Sequence, residues 1–291
     1  MWRVLTNAAA LLGLAAAVAA QEPAETNTPP GKPDSPAKQY EAIEQEFATA
    51  QQDFSKSYRE AKTDEERQKV IAEKYPPPQQ FVGRMFELAE KYADDPVAVD
   101  ALVWIVTRVR AGDEADKALA ILGEKHTDSE KIGPVCQSLV YSSSPAAEKL
   151  LRAVLEKNPH HEAHGQACYA LAKLLGQQSG LASQLESNPD ELQNVEGQYG
   201  KQYADRLREA GPEKLAAEAE QLLERVVETC QDIKSYRGSL ADAAKADLFE
   251  IRNLAIGKVA PEIEGEDMDS QPFKLSDYRG KVVVLDFWGN W

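Results

Sequence analysis

Three short stretches of this chain align with one another, and they limit its fold more than any other feature. Ala115–Lys125 reads ADKALAILGEK, Ala147–Lys157 reads AEKLLRAVLEK and Ala219–Thr229 reads AEQLLERVVET. Their starts lie 32 and 72 residues apart, close to one and two periods of a repeated helix pair. The stretches beside them also carry helical apolar spacing. Pro96–Val109 presents Ala98, Ala101, Leu102, Ile105 and Val109, and Glu162–Leu175 presents Ala167, Leu171, Leu174 and Leu175. A helix pair with one apolar face needs a neighbour to cover it. Stacking into a short right-handed α-solenoid follows.

The period makes the region tetratricopeptide-like, although its pattern is degenerate. Helical spacing begins at Lys38, where Tyr40, Ile43, Phe47, Ala50 and Phe54 recur at intervals of three and four. Thr63 with Glu66 predicts a capping box for a second helix running toward Lys74. The two helices are expected to pair as an antiparallel hairpin, which Pro76-Pro77-Pro78 ends. The stretch from Gln177 to Gly211 breaks the period at Asn188-Pro189 and Gly211-Pro212. One or two irregular helices protruding from the stack are expected there. The helical, tetratricopeptide-like domain is placed at 38–255.

Ahead of it, residues 1–20 read as a secretory signal. Arg3 gives a positive start, Ala8 to Ala20 an apolar run too short to span a bilayer comfortably, and Val18-Ala19-Ala20 a small-residue cleavage site. An uncleaved anchor is the alternative. No other stretch approaches the length of a membrane span. Residues 21–37, with Pro23, Pro29, Pro30, Pro33 and Pro36, predict a disordered tether. The chain is therefore expected to be exported, with the periplasm as its compartment. A net charge of -15 argues against nucleic acid and anionic membrane surfaces as partners.

The last segment, 256–291, has a different character. Glu262-Ile263-Glu264 and Pro272-Phe273-Lys274-Leu275 read as short strands, with Asp267 to Gln271 supplying turn chemistry between them. After Gly280, Lys281 to Trp288 is a β-branched and aromatic run with Asp286 inside it. It predicts a strand over Val282 to Phe287, covered on both faces as in a parallel sheet. The pieces Gly257-Lys258-Val259-Ala260-Pro261, Phe273 to Lys281 and Val282 to Trp291 resemble, in order and spacing, the opening of a thioredoxin-fold domain. The family is that of exported thiol–disulfide oxidoreductases, close to the alkyl hydroperoxide reductase and thiol-specific antioxidant (redoxin) proteins. The fold expected is thus mainly α: a tetratricopeptide-like helical solenoid followed by the first strands of an incomplete thioredoxin-like α/β domain.

The resemblance implies roles. Asp286 corresponds to the buried acid that accepts the proton of the resolving cysteine, since a carboxylate inside a sheet is desolvated toward a working general base. Plain packing beside a polar partner is the other reading. Trp288 and Trp291 correspond to the aromatic rim of the active site, or to ordinary sheet burial. In this family a tryptophan tetrad leads into Cys-x-x-Cys. No Cys-x-x-Cys occurs in the 291 residues, so the polypeptide as written lacks the attacking thiolate. Two explanations stand. The chain is a fragment, or the codon after Trp291 is UGA and encodes selenocysteine. Substrates implied are a protein disulfide or a peroxide. No cofactor and no metal are implied.

Cys136, Cys168 and Cys230 each sit on an apolar stripe, which favours buried free thiols over a disulfide or redox role. His160, His164 and Cys168 share one helix face at spacings that could ligate zinc, with His161 beside them. No further motif completes such a site, and packing at a helix start is favoured. Two functions remain: a thioredoxin-like oxidoreductase whose helical part holds a partner protein, or a non-enzymatic helical-repeat binding module.

Overall fold

The computed structural model describes residues 35–236, 238–254 and 258–286. The signal 1–20 and the tether up to residue 34 lie outside the described residues. Helix α1 (Pro36–Glu60) starts inside the expected tether. Ser35 Oγ accepts from Lys38 N at 3.3 Å, and Pro36 occupies the first turn, where its missing N–H costs nothing. Ile43 and Phe47 of the expected stripe are buried. Helix α2 (Asp64–Lys74) carries the expected capping box. Thr63 Oγ1 accepts from Glu66 N at 3.1 Å, and Glu66 Oε2 accepts from Thr63 N at 3.2 Å. It folds back on the last turns of α1, with Lys74 Nζ donating to Ser57 Oγ at 2.9 Å. The Phe54 and Tyr75 rings meet edge to face at 5.5 Å.

Next come α3 (Gln79–Lys91) and α4 (Pro96–Val109). Phe47 of α1 lies edge-on to Phe81 of α3 and Trp104 of α4, with centroids 5.2 and 5.1 Å away. One aromatic cluster thereby ties three helices together. The chain continues through α5 (Asp113–Lys125), α6 (Gly133–Ser138), α7 (Pro145–Lys157) and α8 (His161–Ser187). Then follow α9 (Leu192–Tyr199), α10 (Lys201–Ala210), α11 (Pro212–Thr229), the strands β1 (Lys234–Ser235) and β2 (Gly238–Ser239), and α12 (Leu240–Phe249). A π-helical turn, Glu250–Leu254, extends α12.

The three aligned stretches fall on α5, α7 and α11. Their equivalent positions are buried in all three: Ala115, Ala147 and Ala219; Leu119, Leu151 and Leu223; Leu122, Val154 and Val226. Helix α5 packs on α4 and α7, α7 on α8, and α8 on α11, so each apolar face is covered by the next helix. The fold is mainly α. Among the described residues, no helix is long and apolar enough to cross a membrane.

The chain breaks at Asn188-Pro189 and Gly211-Pro212 as expected, with α9 and α10 between them, and α8 runs to Ser187 with Ala182 and Leu185 prolonging its buried stripe. Two expectations are corrected. Helices α9 and α10 do not protrude bare, since they bury Val195, Tyr203, Ala204 and Leu207 against the main core. The second correction concerns the expected strand at 282–287. Residues 282–286 join no ladder, and Phe287 lies outside the described residues. Val282 is 96% exposed and Val284 88% exposed. A run of β-branched residues becomes a strand only where neighbours accept its backbone hydrogen bonds, and no described segment does so here.

The core has two parts. The larger joins α1 with α3 to α11, and the smaller groups Cys168 and Ala172 of α8 with residues of α11 and α12.

Candidate functional site

The segment that resembles a redox domain is built around Asp267. This side chain accepts from Asp269 N and Gln271 N, both at 2.9 Å, and Asp267 N donates to Gln271 O at 2.9 Å. Ser270 completes the turn at φ 58°. The turn sets the register of two antiparallel strands, β3 (Glu264–Glu266) and β4 (Pro272–Lys274), which pair Glu264 with Lys274 and Gly265 with Phe273. The expected strand–turn–strand is therefore present. Lys274 Nζ meets Glu264 Oε1 across the pair at 2.6 Å.

The hairpin leads into a short 3-10 turn, Leu275–Tyr278, which is tied back to the hairpin. Leu275 N donates to Ile263 O and Ser276 N to Glu262 Oε1, both at 2.9 Å. Hydrogen bonds from Ser276 hold the Glu262 carboxyl below its usual range. Gly280 stands at φ 83°, a conformation that suits glycine, and turns the chain into the apolar run.

Beyond that point the site residues are not brought together. Asp286 is exposed, whereas the resemblance places its counterpart inside a sheet. The reason is that of the unpaired strand, because nothing described covers residues 282–286. Trp288 and Trp291 lie outside the described residues.

The cysteines lie elsewhere. Cys136, Cys168 and Cys230 are free and buried, in the helical region. Burial pushes the Cys136 thiol up to about 12 and the Cys168 thiol up to about 11. Thiols so raised are almost wholly protonated near neutral pH and are poor nucleophiles. His160 stands at the N-cap position of α8, without a capping hydrogen bond from its side chain. His161 Nε2 lies 3.0 Å from Asp232 Oδ1, and His164 Nε2 lies 3.3 Å from an Arg225 nitrogen. Burial, then the neighbouring Arg225, lowers the His164 pKa. Among the described residues, no group of three or more His, Cys, Asp or Glu could hold a metal ion.

One polar group escaped the sequence reading. Asp247 of α12 accepts from Tyr169 Oη at 2.8 Å and from Lys173 Nζ at 2.6 Å, both on α8. Burial and the bond to Asp247 raise the Tyr169 pKa. Lys173 and Asp247 line a cavity of about 440 Å³ beneath the π-helical turn, with Tyr141 and Leu254 at its edge. The only sequence signal was the i, i+4 spacing of Tyr169 and Lys173, since their partner comes 78 and 74 residues later.

Comparison with known proteins adds a short match. A 38-residue stretch is 45% identical to the thiol-disulfide oxidoreductase ResA of Geobacillus thermodenitrificans, covering 13% of this chain and 22% of that protein. The ResA of Geobacillus kaustophilus is 47% identical over 38 residues, with the same coverage of each chain. The ResA of Bacillus anthracis is 38% identical over 56 residues, 19% of this chain and 28% of that one. The chain thus spans between a fifth and a third of the length of these relatives. No family model matches the chain. No solved structure matches it either. The similarity is confined to a segment, and for that segment it supports a thioredoxin-like relationship with thiol–disulfide oxidoreductases.

Proposed function

We propose that this chain is part of an exported thiol–disulfide oxidoreductase. Residues 38–255 would be a tetratricopeptide-like platform that holds a partner protein, and residues 256–291 the entry to a thioredoxin-like domain. The observation that carries the reading is the short identity to ResA proteins, of about the length of that C-terminal segment. The strand–turn–strand anchored by Asp267 and the leader-like residues 1–20 are consistent with it.

The chemistry needs an attacking and a resolving group that the 291 residues do not supply as a Cys-x-x-Cys. In the whole protein, a thiolate or selenolate following Trp291 attacks one sulfur of a substrate disulfide. The S–S bond breaks, one substrate thiolate leaves, and a mixed disulfide forms. Asp286 takes the proton of a resolving cysteine, whose sulfur then attacks the mixed disulfide. The second substrate thiol is released, and the enzyme keeps the new disulfide. The substrate gains two electrons and the enzyme loses two. For this role Asp286 must be covered, which the remaining strands of the domain would do. Trp288 and Trp291 then border the cleft.

The test starts from the nucleotides after the Trp291 codon. A cysteine or in-frame UGA codon, followed by x-x-Cys, is expected. The extended protein should reduce a protein disulfide, and Asp286→Asn should slow the resolving step by about a hundredfold, with the mixed disulfide accumulating. A TAA or TAG with nothing recognisable beyond would sink the redox reading. It would leave a non-enzymatic helical-repeat binding module.

A further inference from the structure

A second cavity, of about 380 Å³, opens where α7, α8, α10 and α11 meet. Its lining holds three basic residues, Arg152, Arg206 and Lys214, but they are not equivalent. Arg152 is fully engaged. It donates to Glu148 Oε1 at 3.0 Å and to Glu218 Oε1 and Oε2 at 2.6 and 3.3 Å, and these bonds raise its pKa. Arg206 has no such partner. Its Nε is buried with no acceptor, and no carboxylate lies within salt-bridge distance among the described residues. An N–H buried without an acceptor costs about 1–3 kcal/mol, more for a charged group.

The guanidinium is also held in place. Its Cζ lies over the buried Tyr203 ring, 5.3 Å from the centroid, a cation–π contact that restrains it. Beside it in the lining is Gln178, only 6% exposed. Its amide nitrogen makes a single long bond of 3.4 Å to Glu148 Oε2. The cavity therefore has an unmatched planar fork and a nearly buried amide on its wall.

We propose that this cavity binds one small carboxylate, recognised by Arg206. A planar fork fits a carboxylate through two parallel N–H···O bonds. Charge decides against a dianion such as phosphate. Glu148, Glu209 and Glu218 in the lining balance Arg152, Arg206 and Lys214, in a chain of net charge -15. A monoanion therefore leaves one uncompensated charge in the cavity and a dianion two, so binding rests on the unmatched Arg206 fork and not on surplus positive charge. The carboxylate is borne either by a free short-chain acid or by an acidic side chain of a bound peptide. The site is independent of the redox chemistry, since none of its residues lies in 256–291.

The probes are acetate and a capped Gly-Glu-Gly peptide, with inorganic phosphate for contrast, titrated into the full chain at low ionic strength. The readout is the Nε–H resonance of Arg206 by ¹H–¹⁵N NMR. A saturable downfield shift below ~10 mM is expected for at least one carboxylate probe, with a weaker response to phosphate. Saturation by acetate identifies a free acid as sufficient, and saturation by the peptide alone identifies a peptide-borne group. Arg206→Gln should weaken binding, followed by the side-chain amide resonances of Gln178 in the same lining, by about tenfold or more, and Arg206→Lys should restore only part of it. Each variant should keep the helical circular dichroism of the parent. Absence of a saturable shift with either carboxylate would overturn the proposal. So would equal binding by Arg206→Gln, or tighter binding of phosphate.

Discussion

Gly165, near the start of α8, occupies a place where an added side chain would force buried neighbours to move. A Cβ there would stand 2.4 Å from Ile233 Cδ1 and 2.9 Å from Cys230 Sγ, both buried. Gly165→Ala gains up to about 1 kcal/mol of helix propensity, but overpacking costs about 1–3 kcal/mol. Overpacking should win, because Ile233 and Cys230 have closed neighbours and little space to retreat. The midpoint of thermal unfolding is expected to fall by about 2–6 °C, and an unchanged or raised midpoint would refute the tight contact. Nothing in the sequence marked Gly165, because its partners lie more than sixty residues downstream. The three cysteines were legible as core residues, since each shared an apolar stripe with its own helix. The reading of Asp286 rested on resemblance alone. In the structure it is exposed, because none of the described residues forms a strand beside it.

Elements were legible where their signals were local. The Thr63–Glu66 box, the Asp267 turn and the three aligned stretches all act within a few residues, and all appear where expected. The burial of α9 and α10 was not, because it comes from packing against helices distant in sequence. Helix α2 illustrates what a local signal can control. It buries no residue, so its cap matters more than packing. Thr63→Ala should cost about 1 kcal/mol, felt as fraying of α2 and not as loss of the whole fold. The Glu66 carboxyl is held below its usual range by hydrogen bonds from Lys62 N and Thr63 N. A depressed folded pKa means that the contribution is complete above the ordinary carboxylate pKa of 4.5 and is lost as pH falls through the lower folded value. ¹³Cα shifts of residues 64–74 should therefore move toward coil below that pH in the parent, and much less in Glu66→Gln, which cannot titrate. Equal pH dependence in both would rule out the Glu66 carboxylate as the cause.

At the scale of the molecule, the helices bury their apolar faces on one another, while residues 282–285 present Val, Val, Val and Leu, all exposed. Such a run is a template for pairing between chains. The chain of 291 residues is expected to self-associate or to be clipped near residue 282. Lys at both Val282 and Val284 should restore monodispersity without changing helix content, since these two side chains are 96% and 88% exposed and pack on little. Light scattering that finds the parent monodisperse, with a protease-resistant C-terminus, would contradict this.

Helix α8 faces both parts of the core. Ala167, Leu171, Leu174 and Leu175 enter the larger cluster, while Cys168 and Ala172 enter the smaller one. A wall with two sides cannot be given up by one room alone. Stripping α11 and α12 from α8 would wet its second face and remove a brace from the first. The two clusters are therefore expected to melt as a single cooperative unit, with damage on the α12 side felt at α7 through the loss of shared structure and no side chain carrying a message between them.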